Sequence, residues 1–418
     1  MGAALQVFGR LASLRRSQWW DPARTRQLKE RKLRKLVRHA YESVPFYRER
    51  FDRAGVRPET IRHLEDLERL PVVGKRDLQA AGKDAIVSSR CRADGLFEVR
   101  TSGSTGQPFT IYWDRHWDAT QRALFFRALA STGYRFGDKV AILTENVESR
   151  RTPRWMNWHY VSYNDDPARI LSVLKALRPK VLYGWVTPLR RLALHAQEQG
   201  GAIHRPEIVI TTAEALDGQT RSLLRAVFAV EPFEFYGLSE MGWVATECPH
   251  HDGLHFSEDT LIAESPDAGA GVGPSRLVLT NLDLYGMPLI RYETGDLVAW
   301  QADGPCRCGR RSRRIAAVQG RSVDCIKLPG GTTLLPYDLT RAIELVDGIG
   351  RYRVVQRGLQ AFEVYYEGPK GDDATRRQGI SDAMAGVLGD QARVELFRSD
   401  NLDPPSGRKF RVVESLVD

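Results

Sequence analysis

Cysteine is scarce: Cys91, Cys248, Cys306, Cys308 and Cys325 are the only five in 418 residues. An odd and sparse set argues against a disulfide framework and fits a reducing, cytoplasmic setting. Long apolar runs are missing as well. None approaches the ~20 residues that span a bilayer, so no membrane partner is expected. The first twenty residues hold Arg10, Arg15 and Arg16 but no apolar block ahead of a small-residue cleavage site, so secretion is not signalled. Gln6 stands where N-myristoylation requires Ser or Thr. No DNA- or RNA-binding motif accompanies the net charge of +9, and the densest basic run, Arg26 to Arg38, has another explanation. It carries Leu28, Leu33, Leu36 and Val37, with Ala40 and Tyr41 beyond, at helical spacing. A solvated helix face is the better reading, and a basic nucleic-acid-binding protein the remote one. Internal repeats and low-complexity segments are absent.

What is present describes a globular chain: 42% hydrophobic and 27% charged residues, long enough for two or three domains. Its organising stretch is Val99-Arg-Thr-Ser-Gly-Ser-Thr-Gly-Gln-Pro-Phe-Thr110. Between Thr101 and Gly106 stand Thr101, Ser102, Ser104 and Thr105 with Gly103 and Gly106. Short hydroxyls bring donors to an anion without filling its space, and glycines let backbone N–H groups approach it. The Gly-Lys-Ser/Thr ending and following helix of a P-loop are lacking, and Phe109 to Tyr112 reads as a strand. A plain Ser/Gly hairpin turn is the alternative.

Residues 1–90 read as a mainly helical lead-in packed on the main domain and broken at Pro45, Pro58 and Pro71. Strands and helices then alternate: helix Asp118 to Ala130, strand Lys139 to Thr144, helix Pro167 to Leu177 and strand Val181 to Gly184. Helix Leu189 to Ala196, strand Ile208 to Thr212, helix Thr220 to Phe228 and strand Phe233 to Tyr236 continue the pattern. The spacing predicts an α/β domain with mainly parallel sheets, whose ligands sit at the carboxyl ends of strands. Glu214 and Tyr236 would fall there. Strands are predicted at Arg276 to Thr280 and Leu289 to Tyr292. Beyond Gly320 comes a small α+β pattern: strand Cys325 to Leu328, helix Tyr337 to Leu345, and strands Tyr352 to Gln356 and Phe362 to Tyr366. Helix Ala374 to Leu388 and strand Arg393 to Phe397 complete it. The expected division is 1–90 lead-in, 91–320 main domain, 321–324 hinge and 325–418 small C-terminal domain.

Downstream of the hydroxyl loop come Ala213-Glu214-Ala215, Tyr236-Gly237-Leu-Ser239-Glu240, Tyr292-Glu-Thr-Gly-Asp296, Gly320-Arg321-Ser-Val-Asp324 and Ser406-Gly-Arg408-Lys409. Singly, each reads as a strand-end turn with a solvated side chain. In this order the six resemble the adenylate-forming superfamily of acyl-CoA ligases and peptide-synthetase adenylation domains. The Thr-Ser-Gly-Ser-Thr-Gly-x-Pro form is similar to the branch of phenylacetate-CoA ligase and the capsular-polysaccharide-associated adenylating proteins. Ala40-Tyr-Glu-Ser-Val-Pro-Phe-Tyr47, Leu70-Pro-Val-Val-Gly-Lys75 and Cys306-Arg-Cys-Gly-Arg310 carry the same resemblance, which covers nearly the whole chain.

The resemblance implies an AMP-forming acid–thiol ligase that takes ATP, Mg²⁺, a small carboxylic acid and CoA. A carrier-protein phosphopantetheine or an amine is the alternative acceptor, and the chain would act as a monomer or homodimer. Thr101, Ser102, Gly103, Ser104, Thr105 and Gly106 would hold the β- and γ-phosphates. Glu240 would ligate Mg²⁺, a hard cation suited to carboxylate oxygen. Tyr236, with Gly237 and Ser239, would pack on adenine, and Glu214 and Ala215 would line the same pocket. Asp296 suits the two ribose hydroxyls as a double acceptor, and Arg321 would add charge near ribose or phosphate. A lysine from the small domain would enter the site for adenylation. Alignment on Lys-Phe-Arg makes it Lys409, and alignment on the glycine places Arg408 there. Asp324 would be the hinge.

Cys248, His255, Cys306 and Cys308 would satisfy tetrahedral Zn²⁺ in a structural site, with His250 and His251 competing for the nitrogen position. Reduced surface cysteines are the bland alternative. Trp155, Trp158, His159, Tyr160, Tyr163, Trp185 and Phe235 would line a pocket for an aryl or arylacetic acid, or fill the core. Arg150, Arg151 and Arg154 would meet a CoA phosphate or face solvent.

Overall fold

The structure is a computed structural model. It describes all residues except 1, 93–94, 101–108, 146, 148–155, 201–202, 267–274, 303, 322–323, 369–372, 390, 405–408 and 418, and not the side chains at 3, 337 and 341. The N-terminal helices are α1 (Gly2–Ser17), α2 (Pro22–Ser43), α3 (Pro45–Arg53), α4 (Lys75–Ala81) and α5 (Lys83–Ile86). Asp21 starts α2 by accepting from the Arg24 amide at 2.9 Å, with Pro22 already set for the first turn. Pro45 ends it, because the residue before a proline is pushed out of the helical region and Val44 is extended at φ −124°. Leu33, Leu36, Val37 and Ala40 are fully buried, as their spacing requires; the three larger ones stabilise by about 5–9 kcal/mol. The basic run of this helix divides. Arg31, Arg34, Lys35 and Arg38 are exposed, whereas Lys29 reaches Glu258 at 3.2 Å and Lys32 reaches Asp283 at 2.6 Å.

A hairpin of β1 (Leu96–Arg100) and β2 (Thr110–Asp114) leads into α6 (Arg115–Ser131). Then come β3 (Val140–Thr144), β4 (Trp158–Ser162), α7 (Pro167–Leu177), β5 (Val181–Trp185), α8 (Val186–Gln199), β6 (Ile208–Thr212), α9 (Gly218–Phe228) and β7 (Phe233–Leu238). The next strands are β8 (Gly242–Glu247), β9 (Leu254–Phe256), β10 (Leu261–Glu264), β11 (Ser275–Asn281), β12 (Tyr292–Trp300) and β13 (Arg314–Arg321). The C-terminal elements are β14 (Ile326–Lys327), β15 (Thr333–Leu334), α10 (Pro336–Glu344), β16 (Tyr352–Gly358), β17 (Ala361–Tyr366), α11 (Asp373–Leu388), β18 (Arg393–Arg398) and β19 (Val413–Ser415).

By packing, the chain forms two units. One comprises Met1–Tyr134, Phe235–Thr294 and Val298–Ala317. Its strands run β10-β11-β12-β13-β9-β8-β7, with antiparallel pairs β10/β11, β13/β9, β8/β9 and β7/β8. The other comprises Arg135–Glu234, Gly295–Leu297 and Val318–Asp418. It holds a parallel sheet in the order β6-β5-β3-β4, and Leu143, Leu182, Val209 and Phe228 belong to the core beneath helices α7, α8 and α9. A four-stranded sheet, β18-β17-β16-β19, packs with α10 and α11 around a second core that includes Leu339, Val354, Phe362, Tyr366 and Met384. The architecture is α/β with a small α+β portion at the C-terminus.

One strand expectation needs correction and one strand was not expected. Leu289 to Arg291 lie outside the strand, which begins at Tyr292; Arg291 sits at φ 48°, a conformation that cannot continue a ladder. Trp158, His159 and Tyr160, expected as pocket lining or core, lie in β4, which pairs in parallel with β3. Among the described residues no helix is long and apolar enough to cross a membrane.

Candidate active site

The hydroxyl loop, Thr101 to Gly106, lies outside the described residues, whereas the two strands that flank it in sequence are described. Arg100 pairs with Thr110 at the open end of the β1–β2 hairpin. Asp114 then ends β2 and caps α6, accepting from the Trp117 amide at 2.8 Å. Its other oxygen accepts from the amides of Tyr285 and Gly286 at 2.7 and 2.6 Å. A side chain at Gly286 would meet the Leu96 side chain at 2.9 Å, so this approach needs glycine. The hairpin is thereby tied to the segment that precedes β12.

Tyr236-Gly-Leu-Ser-Glu240 forms the end of β7 and the turn into β8. Gly237 pairs with Trp243, Leu238 pairs with Gly242, and the Met241 amide donates to the Leu238 carbonyl at 3.1 Å. Gly242 has φ 65°, and a Cβ there would meet Trp117 at 2.9 Å, so the turn rests directly on α6. Tyr236, Gly237 and Glu240 are half-buried and Ser239 is exposed. The Tyr292 hydroxyl donates to Glu240 Oε1 at 3.3 Å, which brings the Tyr-Gly-x-Ser-Glu and Tyr-x-Thr-Gly-Asp stretches together.

The N-terminal motifs hold Tyr292 in place. The Tyr47 hydroxyl, which burial pushes well above its ordinary pKa, accepts from the Ile290 amide at 2.9 Å. Val73 lies parallel to Tyr292, donating to the Arg291 carbonyl and accepting from the Glu293 amide, both at 2.9 Å. Buried Arg291 pairs with Glu264 at 2.9 Å and donates to the carbonyls of Glu68 and Leu70. Nothing in the spacing of these residues announces that role.

Asp296, Arg321, Glu214, Asp324 and Lys409 belong to the other unit. Asp296 lies inside β12, directly after Gly295 at φ 79°, and is 6% exposed. Arg321 Nε lies 3.6 Å from its Oδ1, a compensating cation for a buried carboxylate. Glu214 follows β6 after Ala213 at φ 71°. Its Oε2 accepts from the Thr187 amide at 2.7 Å, and its Oε1 accepts from the Thr187 hydroxyl at 3.0 Å and the Phe410 amide at 2.9 Å. Ala215 is exposed. Half-buried Lys409 therefore immediately precedes a residue whose backbone is tied to Glu214. Arg408 lies outside the described residues. Asp324 is buried and accepts from Arg411; burial lifts its carboxyl above the ordinary range although Arg411 pulls the other way. Thr187, Phe410 and Arg411 are additions that only the fold reveals.

Cys248, His255, Cys306 and Cys308 converge, with their ligand atoms all within 4.8 Å of one another. Cys248 and Cys306 sulfurs are 3.7 Å apart, and Cys308 Sγ is 3.4 Å from His255 Nε2. Tetrahedral zinc with ordinary bond lengths needs S···S edges of about 3.8 Å and S···N edges of about 3.6 Å, so the donor set fits the ion. His255 Nδ1 meets the Ser312 hydroxyl at 3.0 Å, leaving Nε2 as the ligand nitrogen. Burial, reinforced by Arg310 and Arg314, pushes His255 down to about 3, so the ring is neutral. Burial pushes Cys248 up to about 12. Burial also opposes the Cys306 thiolate, yet hydrogen bonds from Cys308 and Cys248 carry it below its ordinary value. Buried Arg310 offsets the single negative charge that three thiolates and a divalent ion would leave. Of the competitors, His250 is exposed and His251 faces Glu247 at 3.2 Å. Cys91 and Cys325 are free, partly buried thiols outside the cluster.

Tyr163 is buried against Trp185 at 5.6 Å, Phe235 is core beside Trp243, and Trp158, His159 and Tyr160 are half-buried on β4. Trp155, Arg150, Arg151 and Arg154 lie outside the described residues.

No family model matches the chain. A phenylacetate-coenzyme A ligase of Thermus thermophilus is 29% identical over 322 residues, 73% of this chain and 72% of that protein. Protein CapK of Staphylococcus aureus is 19% identical over 355 residues, 81% of this chain and 77% of that one. A crystal structure of 2-hydroxyisobutyryl-CoA ligase in the postadenylation state, in complex with R3-HIB-AMP, superposes with a TM-score of 0.78. It is 21% identical and covers 96% of this chain and 91% of that chain. An open conformation of the same ligase, in complex with 2-HIB-AMP and CoA, gives 0.64 at 22% identity, covering 93% of this chain and 91% of that one. In sequence the chain is similar to phenylacetate-coenzyme A ligases, and in fold it is similar to 2-hydroxyisobutyryl-CoA ligase.

Proposed function

We propose that this chain is an AMP-forming ligase that activates a small carboxylic acid, of the aryl or arylacetic class, and passes it to CoA. The observation that carries this is similarity to a phenylacetate-coenzyme A ligase across nearly three quarters of both chains, with the superfamily's motifs in order. A carboxylate oxygen attacks the α-phosphate of ATP, pyrophosphate leaves, and the CoA thiol then displaces AMP from the acyl-adenylate.

Two anions meet in the first step, so the site must supply positive charge and donors. We assign the β- and γ-phosphates to Thr101 through Gly106. Adenine is assigned to Tyr236, Gly237 and Ser239, and Glu214 and Ala215 are assigned to nucleotide binding as well. Asp296 takes the ribose hydroxyls and Arg321 the neighbouring ribose or phosphate oxygens; their 3.6 Å approach supports a paired role. Glu240, oriented by Tyr292, is the carboxylate that would hold Mg²⁺, whose charge offsets that of the phosphates. Lys409 neutralises the reacting oxygens, and the 325–418 segment turns about Asp324 to admit the thiol. The Cys248/His255/Cys306/Cys308 cluster is a structural zinc site, and five reduced thiols suit the cytoplasm.

The test is acid-dependent pyrophosphate release from ATP and Mg²⁺ across a panel of acids, with CoA, hydroxylamine or no acceptor. AMP is the expected nucleotide product. ADP overturns the assignment, because it reports attack at the γ-phosphate. Lys409→Ala is expected to slow adenylation about 10²-fold while leaving thiol transfer from supplied acyl-adenylate nearly unchanged; an undiminished first step points to Arg408 instead.

A further inference from the structure

We propose that Arg190, Arg351, Glu367, Asp403 and the Glu214–Thr187 pair form a polar latch that holds Lys409 in position for adenylation and must open before thiol transfer. The proposal rests on the reaction assigned above.

In this unit the parallel-sheet portion and the C-terminal portion close separate apolar cores. The links described between them are polar. Arg190 projects from α8, is 6% exposed, and donates to Glu367 just beyond β17, with Asp403 3.8 Å away. Arg351, also 6% exposed, spans the junction. It donates to Asp403 at 2.5 Å and to the Thr187 hydroxyl on α8 at 2.7 Å. That hydroxyl in turn donates to Glu214, whose Oε1 also accepts from the Phe410 amide.

Leu402, Asp403 and Phe410 are each anchored. Glu367 accepts from the Leu402 amide at 2.8 Å, and Asp403 is held by Arg351. At the far end the Phe410 amide is tied to Glu214, and its ring lies 3.7 Å beneath the Arg351 guanidinium. Lys409 is the residue next to that anchor.

The choice of chemistry suits a joint that opens. An apolar interface loses its stabilisation when water enters, whereas charges released from a buried pair regain hydration, so such pairs come close to break-even. A guanidinium serves two partners at once through its planar fork, which an ammonium does not. Arg190 and Arg351 each do so, and both draw on Asp403. These are positioning residues, and none need touch substrate.

The experiment uses the full chain, with phenylacetate plus ATP for adenylation and phenylacetyl-AMP plus CoA for thiol transfer. Arg190→Met and Glu367→Gln are expected to slow adenylation about 10-fold or more, with thiol transfer within twofold of wild type. Arg190→Lys should recover part of the loss, and Arg351→Lys should keep the Asp403 pairing while losing Thr187. Hydrogen exchange, which needs no turnover, should be faster at the Leu402 and Phe410 amides in Arg190→Met than in wild type. Equal losses in both half-reactions, or unchanged exchange at 402 and 410, overturn the latch. Faster exchange in the variants, with no pyrophosphate released by wild type from any acid, supports the latch and overturns the reaction instead.

Discussion

Asp114 joins three backbone donors from two distant parts of the chain, and replacing it has calculable consequences. Oδ1 caps α6 through the Trp117 amide, and Oδ2 serves the amides of Tyr285 and Gly286; the residue is 8% exposed. Asp114→Ala removes a helix cap worth about 1 kcal/mol and two charge-assisted bonds worth about 1.5–3 kcal/mol each. The desolvation that a buried carboxylate suffers is relieved at the same time, which leaves a local loss of about 3–4 kcal/mol. Asp114→Asn separates the two functions. An asparagine oxygen still caps α6, but its NH₂ then faces two N–H donors and leaves both unpaired. Because the chain has several cores, a single melting curve does not isolate this effect. Amide-resolved hydrogen exchange does. In Asp114→Asn, exchange at 285 and 286 should rise about 10²-fold while Trp117 stays protected, whereas in Asp114→Ala all three should rise. Wild-type protection at 285 and 286 in Asp114→Asn would refute the reasoning.

Burial raises the Asp283 carboxyl, but Lys32 and His116 prevail and hold it below the ordinary carboxylate range. Such a group gives stability that is present above about pH 4 and lost as pH falls through its depressed value. In Lys32→Met burial prevails, so the melting-temperature deficit against wild type should be largest near pH 7 and shrink below about pH 4; a deficit constant with pH contradicts the pairing. Protein prepared without chelator should contain about one zinc per chain, and Cys308→Ser should lower Tm more than ATP affinity. Metal-free protein whose five thiols all titrate freely removes that site. Asp296→Ala should weaken ATP binding about 10²-fold with a smaller change in kcat, since two charge-assisted bonds to ribose would be lost; an unchanged KM for ATP counts against the ribose assignment.

The alternation from Pro167 to Phe228 was legible because period and punctuation agree: Asp166 and Asp217 cap α7 and α9, and the strands between are apolar runs. The Cys and His cluster was legible because those residues are few. What escaped notice depends on separation along the chain. Glu214 meets Phe410 across nearly two hundred residues, and Arg291 grips Leu70 across more than two hundred. No local pattern encodes either partner. β4 was missed although Trp158, Tyr160 and Val161 favour strands, because its register comes from pairing with β3 and not from a local pattern. The strand expected at Leu289 yielded to tertiary bonds, with Tyr47 and Thr280 holding the Ile290 and Arg291 amides.

The parallel seating of Val73 against Tyr292 has a consequence for synthesis on the ribosome. A chain emerging at ~5–20 residues per second exposes Val73 about 10–40 s before Arg291 and Glu293 exist to pair with it. Over that interval Tyr47, buried in the finished molecule, lacks the Ile290 amide that donates to its hydroxyl. The N-terminal arm is made first and docked late. The nascent protein therefore carries its basic N-terminal arm without these partners while roughly half of the chain is made.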